Sequence, residues 1–345
     1  MVFSSKILAW YHKNKRELPW RNTKNPYKIW LSEIILQQTR IAQGLPYYER
    51  FVKEFPTVLE LAQAPEQKIL KLWQGLGYYS RARNMHTTAK VIVNEYAGNF
   101  PQTHKELLKL KGVGDYTASA IVSICFGEAE PVVDGNVYRV LSRYFGIAIP
   151  INTSEGIKYF KKMARQVMSF ENISDYNQGI MEFGAIQCTP QNPNCDVCVL
   201  NSGCKALQTK NISELPVKLK KTKVKKRHFN YLVFRDKNGN TLFEKRTKGI
   251  WQNLFQFPLL ETEKELDILR KEAIETMKIK GLNVITKISL YNKAPIVHKL
   301  SHQHLFTKFW IVETDAILDE GIVFEDLKTY PMPVLINNFI RTFNF

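Results

Sequence analysis

The stretch CTPQNPNCDVCVLNSGC, Cys188 to Cys204, holds four of the chain's five cysteines and decides how the rest is read. Its spacing is Cys188-x6-Cys195-x2-Cys198-x5-Cys204. Cysteines that staple a secreted chain are spread through it in pairs. Four crowded into one loop read as ligands of a metal centre, because thiolate is a soft donor suited to zinc or to iron–sulfur. Pro190, Pro193 and Gly203 restrict or permit the turns such a loop must make. Spacing alone leaves structural zinc and an iron–sulfur cluster both open. Cys125, by itself in an apolar stretch, reads as a small core residue.

Working outward, everything before the loop has helical texture. Asn25-Pro26 is an N-cap followed by a residue suited to the first helical position. Tyr27, Trp30, Leu31, Ile34 and Ile35 then recur at helical intervals. Further helices are expected over 65–75, 79–96, 103–109, 116–126 and 137–145, most of them separated by short breaks with Gly or Pro. After the loop, Lys218 to Arg227 is a run of positive charge with no acid, the mark of a solvated linker. Beyond it, short strands are expected at 231–234, 241–243 and 309–312, with a helix over 263–278. The organisation predicted is an all-α domain over 1–208, a basic linker over 209–227 and a smaller α+β domain over 228–345.

The chain has 345 residues, 44% of them hydrophobic and 23% charged, enough for two compact domains. No apolar run approaches the ~18 residues of a membrane helix, and the N-terminus lacks a signal-peptide pattern. A cytoplasmic, nucleoid-associated protein with no membrane partner is expected. Lys and Arg number 49 against 32 acids, a net charge of +17. An excess of that size favours a polyanion as partner.

Three motifs carry chemistry. Leu110-Lys-Gly112-Val-Gly114-Asp-Tyr116-Thr-Ala118 can form a tight turn between helices, its backbone N–H groups facing a phosphate. Val132-Val-Asp134-Gly-Asn136-Val137 places an aspartate before a helix, as an N-cap or as a carboxylate at the mouth of a cleft. Trp30-Leu-Ser-Glu33-Ile-Ile-Leu36-Gln-Gln38-Thr39 sets a glutamate off the apolar stripe, beside Leu36, Gln37 and Arg40.

The cysteine spacing after a helical domain resembles the [4Fe–4S] loop of the endonuclease III superfamily of DNA glycosylases. The Gly112–Gly114 turn is similar to that superfamily's helix–hairpin–helix, although Lys111 stands where proline is usual. Ser32-Glu33-x-x-Leu36-Gln37-Gln38-Thr39 resembles one branch, the MutY family. Gly249-Ile-Trp251-Gln-Asn-Leu-Phe255-Gln-Phe257-Pro258 resembles the opening of that family's Nudix-like C-terminal domain. The helical stretch around Arg270 and Glu272 does not match the magnesium-binding helix of a working Nudix hydrolase.

The fold so implied is an all-α helix–hairpin–helix glycosylase domain with an iron–sulfur loop, plus a smaller α+β Nudix-like C-terminal domain. The resemblance implies a [4Fe–4S] cluster on Cys188, Cys195, Cys198 and Cys204. It makes Glu33 the catalytic acid, to be buried once DNA closes over it, and Asp134 the essential aspartate, with Tyr116 and Asn136 completing the catalytic group. Tyr116 stands where strand-cleaving members carry a Schiff-base lysine, so cleavage beyond base release is not expected. Arg21 would line the base pocket, Gln38 and Tyr78 would wedge beside the opposite base, and Leu36 and Thr39 would join the DNA contacts. Gly112 and Gly114 would hold backbone phosphate, and Ser301 and His302 would read 8-oxoguanine. Leu300 replaces the usual Phe. The expected partner is double-stranded DNA with adenine opposite 8-oxoguanine or guanine, bound by a monomer. A thymine-mismatch glycosylase and a non-catalytic DNA-binding iron–sulfur protein are the rival readings.

Overall fold

The computed structural model describes residues 2–219, 224–271, 274 and 285–343. They form two compact units, 1–63 with 84–220 and 64–83 with 221–345. In chain order the helices are α1 (Val2–Asn14), α2 (Pro26–Leu36), α3 (Ile41–Glu54), α4 (Val58–Gln63), α5 (Glu66–Leu72), α6 (Ser80–Glu95), α7 (His104–Leu107), α8 (Asp115–Ile121), α9 (Gly135–Phe145), α10 (Ser154–Val167), α11 (Ile173–Glu182), α12 (Lys205–Gln208) and α13 (Val334–Thr342).

The first unit is helical throughout, as its sequence requires. Asn25 caps α2, its side-chain oxygen accepting from the N–H of Tyr27 (3.0 Å) and Lys28 (3.3 Å). The helix that follows is buried almost all round, from Tyr27 to Ile35, with Ser32 and Glu33 included. It is a core helix rather than a surface helix with one apolar stripe. The hairpin lies between α7 and α8. Thr103 caps α7, accepting from the Glu106 N–H and donating its hydroxyl to the Glu106 carboxylate. Gly112 stands at φ +82, and a β-carbon there would come within 2.9 Å of Asn84 Cβ, so the turn needs glycine twice over. α8 does not continue regularly to Phe126. It passes into a π-helical turn over Val122–Phe126 that Gly127 ends at φ +73. A second π-helical turn, Phe183–Gln187, follows α11 and delivers the chain to Cys188.

The basic segment is shorter as a linker than its composition suggests. Arg143 Nε donates to the carbonyls of Ile212 and Leu215, and the Ile151 N–H donates to Val217, so the chain clings to the first unit through 219. Lys225 to Arg227 are already strand. Lys225 and Lys226 stay exposed there, at the start of β1 where it pairs with β8.

In the second unit the strands are β1 (Lys225–Arg235), β2 (Asn240–Thr241), β3 (Glu244–Lys245), β4 (Phe255–Gln256), β5 (Leu259–Thr262), β6 (Ile285–Leu290), β7 (Ile296–Lys299), β8 (Gln303–Thr314) and β9 (Ile322–Val323). The main sheet runs β5-β1-β8-β6, with β7 also on β8; β1 and β8 are parallel, Tyr231 opposite Phe309. One face packs Phe229, Tyr231, Phe257 and Phe309 against Ile336 and Phe339 of α13. The helix expected over 263–278 does not begin at Glu263. Residues 263–270 are irregular because the buried Lys308 ammonium pulls them in, pairing with Glu265 (2.8 Å) and Asp267 (3.2 Å) and donating to the Leu266 carbonyl. Most of the rest of that helix lies outside the described residues.

Residues 64–83, helical in pattern like their neighbours, pack with this second unit. Lys71 donates to the carbonyls of Lys328 and Tyr330, Gln74 accepts from the Met332 N–H, and Glu66 accepts from Asn253 Nδ2 at 2.6 Å. The Gly75–Tyr79 turn thus belongs with the second unit.

Candidate active site

Glu33 sits mid-way along α2 and is only 9% exposed without any DNA present. It therefore needs no closing duplex to desolvate it. Burial pushes its carboxyl from 4.5 up to about 7; a hydrogen bond from Tyr116 pulls the other way, and the charge of Asp134 adds to the rise. The group is thus poised to hold a proton near neutral pH, the requirement for a general acid.

Asp134 is the N-cap of α9, and here the structural and the chemical readings coincide. One carboxylate oxygen accepts from the N–H of Asn136 (2.9 Å) and Val137 (2.8 Å), the other from Asn136 Nδ2 (2.8 Å). Burial raises its pKa while these three bonds restrain the rise. The Asn136 side-chain oxygen accepts from Arg139 Nη2 at 2.9 Å; the same guanidinium donates to the carbonyls of Gly184 and Cys188. Gly184 must be glycine, since a β-carbon would lie 2.6 Å from Asn136 Cβ. Tyr116, in the first turn of α8, hydrogen-bonds Glu33 and meets the Met181 sulfur at 3.2 Å. Glu33, Tyr116, Asp134 and Asn136 thus form one group, brought together from three helices.

Arg21 lies on a short 3-10 turn, Pro19–Asn22, and its position is fixed by a residue the sequence reading overlooked. Glu182, at the end of α11 and 2% exposed, accepts from Arg21 Nη1 (3.0 Å) and Nη2 (2.7 Å). It also accepts from Arg16 Nε, Nη2 and backbone N–H at 2.6–3.0 Å. Although burial opposes it, these bonds hold its carboxyl down at about 2. A lone acid six residues before Cys188 carries no local signal of that role. Arg139 and Met181 were equally silent.

The four loop cysteines form no disulfide and line one small cavity together with Arg143 and Pro193. Burial pushes the thiols of Cys195, Cys198 and Cys204 up, and their mutual proximity adds to it, so a cation is wanted among them. No three His, Cys, Asp or Glu side chains among the described residues close on a single ion. Soft thiols around a shared cavity suit an iron–sulfur cluster or zinc. Arg143 organises the wall, donating to Thr189 and Pro190 carbonyls and lying 3.5 Å from Cys188 Sγ.

In the second unit, Tyr78 and Ser301 meet, their hydroxyls 2.5 Å apart, beside a cavity of about 390 Å³. Ile250, Trp251, Leu300, His302 and Arg83 also line it. Gln38 and Thr39 lie in the turn after α2, Leu36 at its last position, with Gln38 at φ +54; Tyr78 stands at φ +48. Left-handed backbone at non-glycine residues is costly and gathers at functional positions. No helix among the described residues is long and apolar enough to cross a membrane.

Three family models cover this architecture. Residues 31–166 match the HhH-GPD superfamily of base excision DNA repair proteins, 188–204 the iron–sulfur binding domain of endonuclease III, and 230–342 a NUDIX domain. A solved thermostable thymine-DNA glycosylase superposes with a TM-score of 0.57 at 32% identity, covering 60% of this chain and 96% of its own. Fold and site thus define a helix–hairpin–helix base excision glycosylase, a hydrolase of N-glycosidic bonds with a [4Fe–4S] cluster on its cysteine loop. An adenine DNA glycosylase of Buchnera aphidicola (strain Bp) is 38% identical over 315 residues, 90% of this chain and 86% of its own. The human adenine DNA glycosylase is 41% identical over 216 residues, 60% of this chain and 40% of its own. The chain belongs to the adenine DNA glycosylase family.

Proposed function

We propose that this protein removes adenine mispaired with 8-oxoguanine, or with guanine, from duplex DNA and stops at the abasic site. The observation that carries this reading is the buried Glu33, protonated near neutral pH and hydrogen-bonded by Tyr116 in the same group as Asp134. The adenine must leave the stack to be reached. Glu33 gives its proton to the extruded ring, which turns a poor leaving group into a good one. The sugar is left with oxocarbenium character, and the Asp134 carboxylate, whose charge three donors favour against the pull of burial, stabilises it. Glu33, now ionised, accepts a proton from the attacking water. Tyr116 offers no amine, so no Schiff base forms.

Around this chemistry, Arg21 faces the base, Gln38 and Tyr78 fill the gap beside the opposite strand, and Leu36 and Thr39 contact it. The turn at Gly112 and Gly114 presents N–H groups to backbone phosphate, which grips without reading sequence. Ser301 and His302 read the lesion. The cluster, when bound, holds the cysteine loop in shape. The protein acts as a monomer on nucleoid DNA in the cytoplasm.

The test is incubation with a duplex carrying adenine opposite 8-oxoguanine, then alkali to open abasic sites, with thymine opposite guanine in a parallel arm. Strand breaks only after alkali, only from the adenine duplex, and no borohydride-trapped adduct are expected. Release of thymine instead would transfer the reading to a thymine-mismatch enzyme, and release of neither base to a non-catalytic binding protein.

A further inference from the structure

Leu300 gives the lesion-side cavity an aliphatic wall, and an aliphatic side chain offers a base no π-face. Trp251 lines the same cavity, together with Tyr78 and Ser301. Its backbone stands at φ +59, a conformation a bulky side chain adopts only when its surroundings impose it. They do so here. Arg83 Nη1 donates to the Gln252 carbonyl at 2.9 Å, and Asn253, itself at φ +66, donates from Nδ2 to Glu66. Both anchors come from the segment that carries Tyr78, so the two aromatic residues are held on one scaffold. The neighbours of the indole meet it at steep angles, Phe229 at 79° and His298 at 62°. Among the described residues no ring stacks flat upon it. Tyr78 and Trp251 thus share left-handed backbone beside one cavity, the indole also resting on the Phe229 core.

We propose that Trp251 is the stacking platform of this cavity, the flat surface against which the base opposite the excised adenine rests while Ser301 tests its edge. This rests on the reading of the cavity as the lesion-recognition site. Tryptophan suits the task because it has the largest face of any side chain and loses little rotamer freedom when so anchored.

The experiment measures binding of the full protein to a duplex carrying 8-oxoguanine opposite a tetrahydrofuran abasic analogue, which cannot be turned over. Trp251→Leu keeps an apolar side chain but removes the face, and should weaken binding about tenfold or more. Trp251→Phe should retain most of the affinity, and it serves as the folded control should the leucine variant melt early. Indole fluorescence should be quenched when the parent binds this duplex, and Trp251→Phe should lose that quenching. Ser301→Ala separates the two levels of inference. If Ser301→Ala weakens binding while Trp251→Leu, folded, binds like the parent, Trp251 is no platform and the cavity reading stands. If neither substitution changes binding, the cavity reading falls as well. Equal quenching in the parent and in Trp251→Phe also overturns the proposal.

Discussion

The two candidate regions, around Glu33 and around Ser301, are built in opposite ways. Around Glu33 the polar groups are buried or half-buried and each is held by another: Tyr116 on Glu33, Asn136 on Asp134, Arg139 on Asn136. Around Ser301 they are exposed, and strained backbone on a braced turn does the holding. The first arrangement suits proton transfer, since a low-dielectric site shifts a carboxyl by units and fixes its geometry. The second suits discrimination between two similar bases, where a single hydrogen bond is at stake and water must be displaced on arrival. Loss of a group should therefore cost much in the first region and little in the second.

The largest effect should come from Glu33→Gln. An amide cannot give up a proton to adenine, and single-turnover base release should fall by about 10²–10⁴-fold, with duplex affinity kept. Comparable turnover would mean the acid lies elsewhere. Asp134→Asn keeps an acceptor for the α9 cap but removes the charge, and release should drop by roughly 10²–10³-fold, the scale for losing one electrostatic stabiliser. If a melting curve instead accounts for the whole loss, Asp134 is a cap alone.

The pH dependence follows from the same burial. Only protonated Glu33 can act, and its carboxyl ionises near pH 7, so kcat/KM should fall about tenfold per unit above that point. A profile flat to pH 9 would contradict a burial-raised acid. In the second region, replacing Ser301 and His302 together by Ala should narrow the preference for 8-oxoguanine over guanine. The lesion carries a proton at N7 where guanine has a lone pair, and Ser301 Oγ can accept it while donating to Tyr78. One such bond is worth about 0.5–1.5 kcal/mol, three- to tenfold. An unchanged ratio of the two Kd values would place lesion reading in the first unit, at Gln38.

The smallest effect is one of stability. Glu33 is raised in the folded state, so its contribution is fully present below the unfolded value of about 4.5 and is lost as pH rises through about 7. Glu33→Gln, never charged, should therefore melt above the parent at pH 8 by a few degrees, at about 2–4 °C per kcal/mol, and match it near pH 4. Equal melting at both pH values would argue that the site admits water.

Much of this protein was legible in one dimension because the relevant signals are local. The cysteine spacing, the Asn25-Pro26 cap, the glycine that the hairpin needs at 112 and the Asp134 cap each depend on neighbours a few residues away. The two acids and the roles expected of them came from the resemblance alone. What the chain could not disclose is whatever depends on distant partners. Glu33 looked like a residue beside the apolar stripe, yet α2 is enclosed almost all round, and that enclosure is the main cause of its raised pKa. Glu182 has no local motif; its meaning comes from two arginines more than 160 positions away. Residues 64–83 are helical in pattern like their neighbours, and their place with the second unit shows in hydrogen bonds to 252, 253, 301, 328, 330 and 332. Sequence determined which groups are available and how each turn is made. Tertiary structure decided which of them lose water and which face one another, because desolvation and pairing are properties of surroundings that the chain assembles only when folded.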